Sequence, residues 1–231
     1  MKYSKLPRIY IKDNIEINKS IKLDHENFNY LQNVMRIKNG FNIRVYNEIN
    51  GEYIASVKFD QKTGIVEILE HFRSIIPAST KLILFASIIK RDKFELICDM
   101  ATQLGVTRIV PIITERVQKK EINIDRLEKI IVEAARQSER LDIPKLQEPI
   151  YLAELEKQLC DIIFFANETE QNLELKKQNG QKIGVLIGPE GGFSDCEIKF
   201  LSGLDYVSSI SLGSNVLRTE TAVVAMLGRL I

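Results

Sequence analysis

Two short segments in the last third of the chain constrain it most. They are Leu186-Ile187-Gly188-Pro189-Glu190-Gly191-Gly192-Phe193-Ser194 and Leu212-Gly213-Ser214-Asn215-Val216-Leu217-Arg218-Thr219-Glu220-Thr221-Ala222. Each follows an apolar run and precedes a helical pattern, so both belong where an α/β sheet opens its ligand crevice, past the carboxyl ends of the strands. The first packs three glycines and a proline between strand and helix. Glycine lets the backbone take positive φ and lets a ligand approach the main chain closely. Ser194 reads as a helix N-cap, with Glu197 three residues on completing a capping box. A tight turn and a capped helix account for all of this except Glu190, an exposed carboxylate that a turn does not require.

Neither segment is a phosphate cradle of the common kinds. G-x-x-x-x-G-K-[ST] is absent, and no G-x-G-x-x-G follows a strand. ATP hydrolysis, a nicotinamide fold and a Rossmann-type methyltransferase all lose support. In the second segment Thr219 reads as the cap of the final helix, and Glu220 suits its positive N-terminal end. Arg218, one residue before that helix at the crevice edge, has no such structural use. A guanidinium there is suited to a phosphate, a carboxylate or the carbonyl edge of a base.

The chain of 231 residues is 45% hydrophobic and 27% charged, enough to bury one large core or two small ones. No apolar run approaches the ~20 residues of a membrane span, and Met1-Lys2-Tyr3-Ser4-Lys5-Leu6-Pro7-Arg8 lacks the apolar stretch of a signal peptide. A cytoplasmic location is expected. Cys98, Cys160 and Cys196 are far apart, and His25 and His71 are the two histidines. A zinc site or a disulfide framework is therefore not expected. Residues 1–150 carry 25 Lys and Arg against 20 Asp and Glu, whereas 151–231 carry 7 against 11. That split suits nucleic acid at the front of the chain and a small ligand at the back.

Residues 8–72 read mostly as short strands: Arg8–Ile11, then Phe41–Tyr46 with its alternating pattern, a turn at Asn50-Gly51, Glu52–Val57, and Gly64–Leu69 completing a meander. A helix from about Glu26 to Met35 interrupts them, and the spacing suggests a small barrel. From Lys81 the rhythm changes. Strands are expected at Leu82–Ala86, Ile109–Ile113, Ile162–Ala166, Ile183–Ile187 and Val207–Leu212, with helices between. One helix places Phe94, Ile97, Cys98, Ala101 and Leu104 on a face and ends at Gly105. Another is marked by Leu127, Ile130, Ile131, Ala134 and Ser138, and the last runs to Ile231. Such alternation argues for a parallel sheet. The boundary falls near Ser74–Ser79.

Read together, these segments resemble the RsmE family, knotted (SPOUT-class) methyltransferases that act on N3 of a uridine in small-subunit (16S) ribosomal RNA. The likeness covers nearly the whole chain. Gln103-Leu104-Gly105-Val106 and Pro111-Ile112-Ile113-Thr114-Glu115-Arg116 look like the family's "tELGV…P…teR" stretch. Glu133-Ala134-Ala135-Arg136-Gln137-Ser138-Glu139-Arg140, followed by Pro144, looks like "EA-x-Q-S-x-R…P". Leu6-Pro7-Arg8 and Val34-Met35-Arg36-Ile37-Lys38-Asn39-Gly40 resemble its start and its "VLR-x-x-x-G" segment. The departures are Asn215, where the family usually has a basic residue, and Asn29-Tyr30-Leu31, where it often has histidine. They bear on RNA contacts rather than on the cofactor pocket.

The resemblance implies an α/β protein with an N-terminal PUA-like RNA-binding β-barrel over 1–73 and a SPOUT domain over 78–231 with a deep C-terminal trefoil knot. It implies S-adenosylmethionine as cofactor, without a metal, at Asn167, Ile187, Gly188, Glu190, Gly191, Leu212, Gly213, Val216, Leu217 and Thr221. It further implies a homodimer acting on 16S ribosomal RNA of the small ribosomal subunit, with no membrane partner. Arg218 and Glu190 become the catalytic candidates, and Arg8, Arg36, Arg91, Arg116 and Arg140 the candidate RNA contacts. The catalytic base is left open. Two other readings stand beside this one: a knotted enzyme that methylates ribose 2′-hydroxyls, and a non-catalytic RNA-binding protein that keeps the fold. The completeness of both glycine-bearing loops argues against the second.

Overall fold

The structure, a computed structural model, describes residues 5–60, 62–76, 80–117, 121–168, 170 and 182–231. The chain divides into two compact units. One is Met1–Pro77 together with Glu139–Asp142, and the other is Ala78–Ser138 together with Ile143–Ile231.

The first unit holds β1 (Arg8–Tyr10), β2 (Ser20–Lys22), α1 (His25–Asn29), β3 (Asn42–Asn47), β4 (Gly51–Phe59) and β5 (Gly64–Arg73). They form one sheet in the order β1-β3-β4-β5-β2. The expected meander is present as antiparallel β3, β4 and β5, with β1 parallel to β3 and β2 antiparallel to β5. β2, three residues with a single buried side chain, Ile21, was not legible as a strand. Gly51 closes the β3–β4 hairpin at φ +90°, and a Cβ there would lie 2.6 Å from the Arg73 carbonyl oxygen. The expected helix from Glu26 to Met35 is shorter as an α-helix. Asp24 caps it by accepting from Asn27 N at 2.7 Å. After Asn29 the coil widens into a π-turn over Tyr30–Val34 that buries Leu31.

At one edge of this unit a fully buried carboxylate organises three arginines. Glu52 accepts from Arg8 Nε at 2.6 Å and pairs by charge with Arg73 Nη2 at 2.9 Å and Arg44 Nη1 at 3.6 Å. Arg8 also lies over the Tyr46 ring, 3.4 Å from its centroid, and donates to the Arg140 carbonyl. Arg44 pairs with Glu139 at 2.8 Å, and Arg73 donates to the Glu139 carbonyl at 2.6 Å. Burial lowers the Arg8 pKa, while Tyr46 and Glu52 oppose the shift.

The second unit holds β6 (Lys81–Ser87), α2 (Arg91–Gln103), β7 (Val106–Ile113), α3 (Ile124–Gln137), β8 (Lys145–Leu146), β9 (Ile150–Tyr151), β10 (Ile162–Ala166), β11 (Lys182–Ile187), α4 (Asp195–Ser202), β12 (Val207–Ile210) and α5 (Thr219–Gly228). Its sheet runs β12-β10-β11-β6-β7-β8, with β9 also on β7, and every pairing is parallel. Both faces are covered, as an all-parallel sheet requires. Leu82, Leu84 and Ala86 pack with residues of α2, α3 and α5, while Ile83 and Phe85 pack with Phe193 and Leu201. Gly184 sits where a Cβ would be 2.8 Å from Ile163 and 2.9 Å from Phe85.

The predicted strands and helices of this unit fall in place with three corrections. β12 stops at Ile210, and α5 stops at Gly228, with Arg229 as its C-cap. Thr219 does not cap α5. Arg218 occupies the N-cap position without a side-chain capping bond, since a guanidinium cannot accept from a backbone N–H, and Thr219 is the first helical residue. Of the expected boundary Ser74–Ser79, Pro77–Ser79 lie outside the described residues, as does nearly all of the expected helix between β10 and β11.

Replacing Glu52 by Gln leaves buried guanidinium charge without its anion. Removing one partner of a buried ion pair typically costs about 3–5 kcal/mol, so Glu52→Gln is expected to lose about 3 kcal/mol in urea unfolding followed by tyrosine fluorescence. An unchanged midpoint would show that the arginines find compensation elsewhere.

Candidate functional site

Because the strands of the second sheet all point the same way, their carboxyl ends gather at one edge. Gly188–Gly192 follows β11 there, Ser211–Arg218 follows β12, Asn167 follows β10, Thr114–Arg116 follows β7 and Ile88–Lys90 follows β6. A cleft of about 270 Å³ opens among the first four of these. Of the residues expected to hold a cofactor, Asn167, Ile187, Gly188, Glu190, Gly191, Leu212, Gly213 and Leu217 line it. Val216 is 76% exposed, Thr221 is exposed, and neither lines the cleft. Asn215, Thr219 and Ala222 stand in the wall beside them.

The β11–α4 loop is built by short-range bonds. Gly192 N donates to the Pro189 carbonyl at 2.9 Å, and Gly192 takes φ +67°. The capping box is formed: Ser194 Oγ accepts from Glu197 N at 3.3 Å, and Glu197 Oε2 accepts from Ser194 N at 2.8 Å. The other oxygen of Glu197 accepts from Glu115 N at 2.8 Å, which ties α4 to the loop after β7. Phe193 is buried edge-on against Phe165. A Cβ at Gly188 would come 3.1 Å from the Phe193 ring, so the main chain there is closely backed.

Two bonds join this loop to its neighbours. The Thr219 hydroxyl donates to the Gly188 carbonyl at 3.2 Å, which links the two glycine-bearing segments. The Arg116 guanidinium donates to the Gly191 carbonyl. In the β12–α5 loop Gly213 takes φ +123°, and Arg229 Nη1 donates to the Ser211 carbonyl at 2.9 Å. Asn167 is set by its backbone N–H to the Ile210 carbonyl at 3.0 Å and its side-chain amide to Ser209 Oγ at 3.2 Å.

The cleft thus has apolar walls of Ile187, Leu212, Leu217 and Ala222, glycine backbone on one side, and the charged groups Glu168, Glu190, Asp195 and Arg116. Carboxylates outnumber cations, which suits a positively charged ligand that also carries an anionic group. Glu168 and Asp195 were not singled out in the sequence, although both directly adjoin segments that were. Among the described residues no group of three His, Cys, Asp or Glu side chains is placed to hold a metal ion.

Arg218 stands between the cleft residues Leu217 and Thr219 with its own side chain exposed, and does not itself line the cleft. Glu190 is exposed on the cleft wall. Glu220 is nearly buried in the first turn of α5 and pairs with Lys93 of α2 at 3.2 Å. Its own backbone N–H and Lys93 hold its carboxyl below the usual range, with a smaller contribution from Arg218. A carboxyl so stabilised as an anion is a poor proton acceptor.

The arginines expected to meet RNA fall in both units, Arg8, Arg36 and Arg140 in the first and Arg91 and Arg116 in the second. Arg36 is exposed at φ +53°, and Arg91 is exposed and bonded to Glu95 at 3.0 Å. Arg116 is exposed at the cleft wall. Arg8, 4% exposed, is committed to Glu52, and Arg140 bonds Asp142 from a largely covered position. Burial pushes the Cys98 and Cys160 thiols up to about 12, which leaves both protonated.

A family model described as an RNA methyltransferase domain matches residues 77–231, and one described as an RNA methyltransferase PUA domain matches 23–69. Ribosomal RNA small subunit methyltransferase E of Rickettsia conorii is 37% identical over 99% of this chain and 95% of its own. The protein of the same name from Mesomycoplasma hyopneumoniae is 32% identical over 89% and 95%. A methyltransferase of Legionella pneumophila, solved in complex with its bound cofactor SAM, superposes with a TM-score of 0.87 at 28% identity, covering 98% of this chain and 97% of that one.

The lowered pKa of Glu220 carries a sign. Its stabilising effect is fully present above the unfolded value of about 4.3 and is lost as pH falls through the depressed folded value. Glu220→Gln is therefore expected to be less stable than the parent at pH 7, with the gap closing in melting curves below pH 4. A gap independent of pH would assign the loss to packing instead.

Proposed function

The chain belongs to the RsmE family of RNA methyltransferases, and on that premise we propose that it uses S-adenosylmethionine to methylate N3 of a uridine in 16S ribosomal RNA. One observation carries the reading: both glycine-bearing segments meet, through Thr219 and Gly188, around a single cleft at the carboxyl edge of the sheet. S-adenosylmethionine carries a sulfonium and an ammonium beside a carboxylate, a ribose diol and an adenine ring. The residues fit that group. Ile187, Leu212, Leu217 and the glycine backbone would take the ring, Glu168, Glu190 and Asp195 would balance the positive charges, and Arg116 would meet the carboxylate. When bound, the cofactor supplies an electrophilic methyl group.

The chain's own residues must then handle the uridine. N3 carries a proton and is a poor nucleophile until it is lost. The imide anion that results spreads charge over the two ring carbonyls, and a cation facing them stabilises it. Arg218 is assigned that task, because its exposed guanidinium springs from the turn between two cleft residues. Glu190, on the cleft wall, orients Arg218 or takes the proton. Glu220 serves the architecture, since its charge is already engaged by Lys93. N3 faces the pairing partner in a duplex, so the target is unpaired or flipped out. Arg36 and Arg91 are proposed to contact RNA.

The finer architecture belongs to the same proposal. The first sheet closes as a PUA-like barrel over 1–73. In the domain over 78–231 the C-terminal segment threads a trefoil knot, a reading supported by the passage from β12 at one end of the sheet to α5, whose first residue bonds Gly188 beyond β11. The enzyme acts as a cytoplasmic homodimer on the small subunit. Identifying the methylated nucleoside by mass spectrometry, after reaction with small subunits, tests the chemistry. N3-methyluridine is expected, and a 2′-O-methyl product would overturn the assignment.

Cofactor binding is expected by calorimetry, unaffected by a chelator, and is expected to vanish when residues 188–192 are replaced by an unrelated loop. Retained affinity in that variant would remove the site from this cleft.

Arg218→Ala is expected to lower single-turnover methylation about a hundredfold, as for other lost anion-stabilising donors, with both substrates saturating. Cofactor affinity should change little, because the neutral uracil and the bound cofactor offer the arginine less than the transition state does. Lysine is expected to restore part of the rate. A normal single-turnover rate with poor RNA affinity would make Arg218 a binding residue.

A further inference from the structure

A second, larger cavity of about 1030 Å³ lies beside the cofactor cleft in the same unit. It opens at the carboxyl ends of β6 and β7, and it shares Arg116, Pro189, Glu190 and Gly191 with the cleft. Its covered lining is apolar, formed by Ile89, Phe94, Val117, Ile122 and Leu127, and the exposed Lys90 and Arg91 line it as well, at its rim by their exposure. Pockets of this size, about 300–1,000 Å³, accept whole small molecules. Here the apolar lining suits the faces of a nucleobase.

We infer that this second cavity is the seat of the flipped-out target nucleotide, with its base on the apolar lining and its phosphates at Lys90 and Arg91. The inference rests on the methyltransferase reading above and adds where the acceptor sits. A methyl transfer needs its two ligands in contact, and the two pockets adjoin along Pro189-Glu190-Gly191, which line both. The bond from Arg116 to the Gly191 carbonyl fixes this shared stretch from the side of β7. A base extruded from RNA has lost its stacking and pairing partners, and an apolar pocket returns part of that loss.

The charges around the cavity fit the assignment. Glu95 lies in its lining, but its carboxylate is held by Arg126 Nη2 at 2.9 Å and Arg91 Nε at 3.0 Å, and these arginines lower its pKa. Lys90 has only a loose surface contact with Asp92 at 3.9 Å, a pairing of little worth. Its ammonium is free to meet a phosphate. Glu121 and Glu190 are exposed carboxylates of the lining. Asn123, also in the lining, caps α3 through its side-chain oxygen, which accepts from Arg126 N at 3.0 Å.

Two variants test the seat. Ile122→Trp fills the cavity with an indole, and Lys90→Ala/Arg91→Ala strips its rim. Neither position lines the cofactor cleft, so S-adenosylmethionine affinity by calorimetry is expected to stay at the parent value in both. Ile122→Trp is expected to lower single-turnover methylation of small subunits about a hundredfold, as misplaced reactants do. The rim variant is expected to weaken RNA affinity in cofactor-free filter binding by about tenfold and to flatten its salt dependence. A parental methylation rate in folded Ile122→Trp overturns the assignment. If Ile122→Trp fails to fold, parental RNA affinity and salt dependence in the rim variant overturn it. Failure of the parent enzyme to methylate any ribosomal RNA would fall on the methyltransferase reading instead, and the RNA-binding comparison would still decide whether this rim meets nucleic acid.

Discussion

Every hydrogen-bonded pair in the sheet β12-β10-β11-β6-β7-β8 is parallel, and that constraint decides where the chemistry of this protein is done. Parallel strands cannot be joined by hairpins, so each connection must climb back over a face of the sheet, and every loop that leaves a carboxyl end emerges at the same edge. Residues as distant in sequence as Arg116, Asn167, Gly188 and Leu217 become neighbours for that reason alone. The helices cover both faces with apolar side chains, and polar and charged groups collect at the edge.

Much of this was legible in the residues. Apolar runs gave the central strands, and the helical spacing of Phe94, Ile97, Cys98 and Ala101 gave the buried face of α2. The Ser194–Glu197 capping box formed as its spacing demands. What escaped were the elements whose cause lies outside their own sequence. β2 has too few residues to show a period, and β8 and β9 are two residues each, held by β7 rather than by any pattern of their own. The turn Tyr30–Val34 widens to carry Leu31 into the core, which helical propensity alone does not announce.

At the site, strand-end position was the useful signal, and side-chain type was less so. Thr219 had the chemistry of a cap, yet its hydroxyl serves the Gly188 carbonyl, a partner 31 residues earlier in the chain. Arg8 and Arg116 were both candidate RNA contacts. One turned out to be buried on Glu52, and the other crosses to the Gly191 carbonyl. No local pattern separates these cases, because both partners come from other parts of the chain. Glu220 was foreseen as a helix-dipole residue, but its partner Lys93 belongs to α2, which packs beside α5 only in the folded unit.

The cluster at Glu52 bears on how the chain comes to be folded. Three arginines surround that carboxylate, and a second one, that of Glu139, pairs with Arg44. The first unit is therefore incomplete when its own strands have all been made. During synthesis, which delivers the N-terminal part first, β1 to β5 are made some sixty residues before the segment Glu139–Asp142. Until it arrives, Arg44 and Arg73 lack the Glu139 groups they hold in the finished protein. A fragment cut at residue 77 would keep that deficit permanently, so the folding unit of this protein is longer than its first domain.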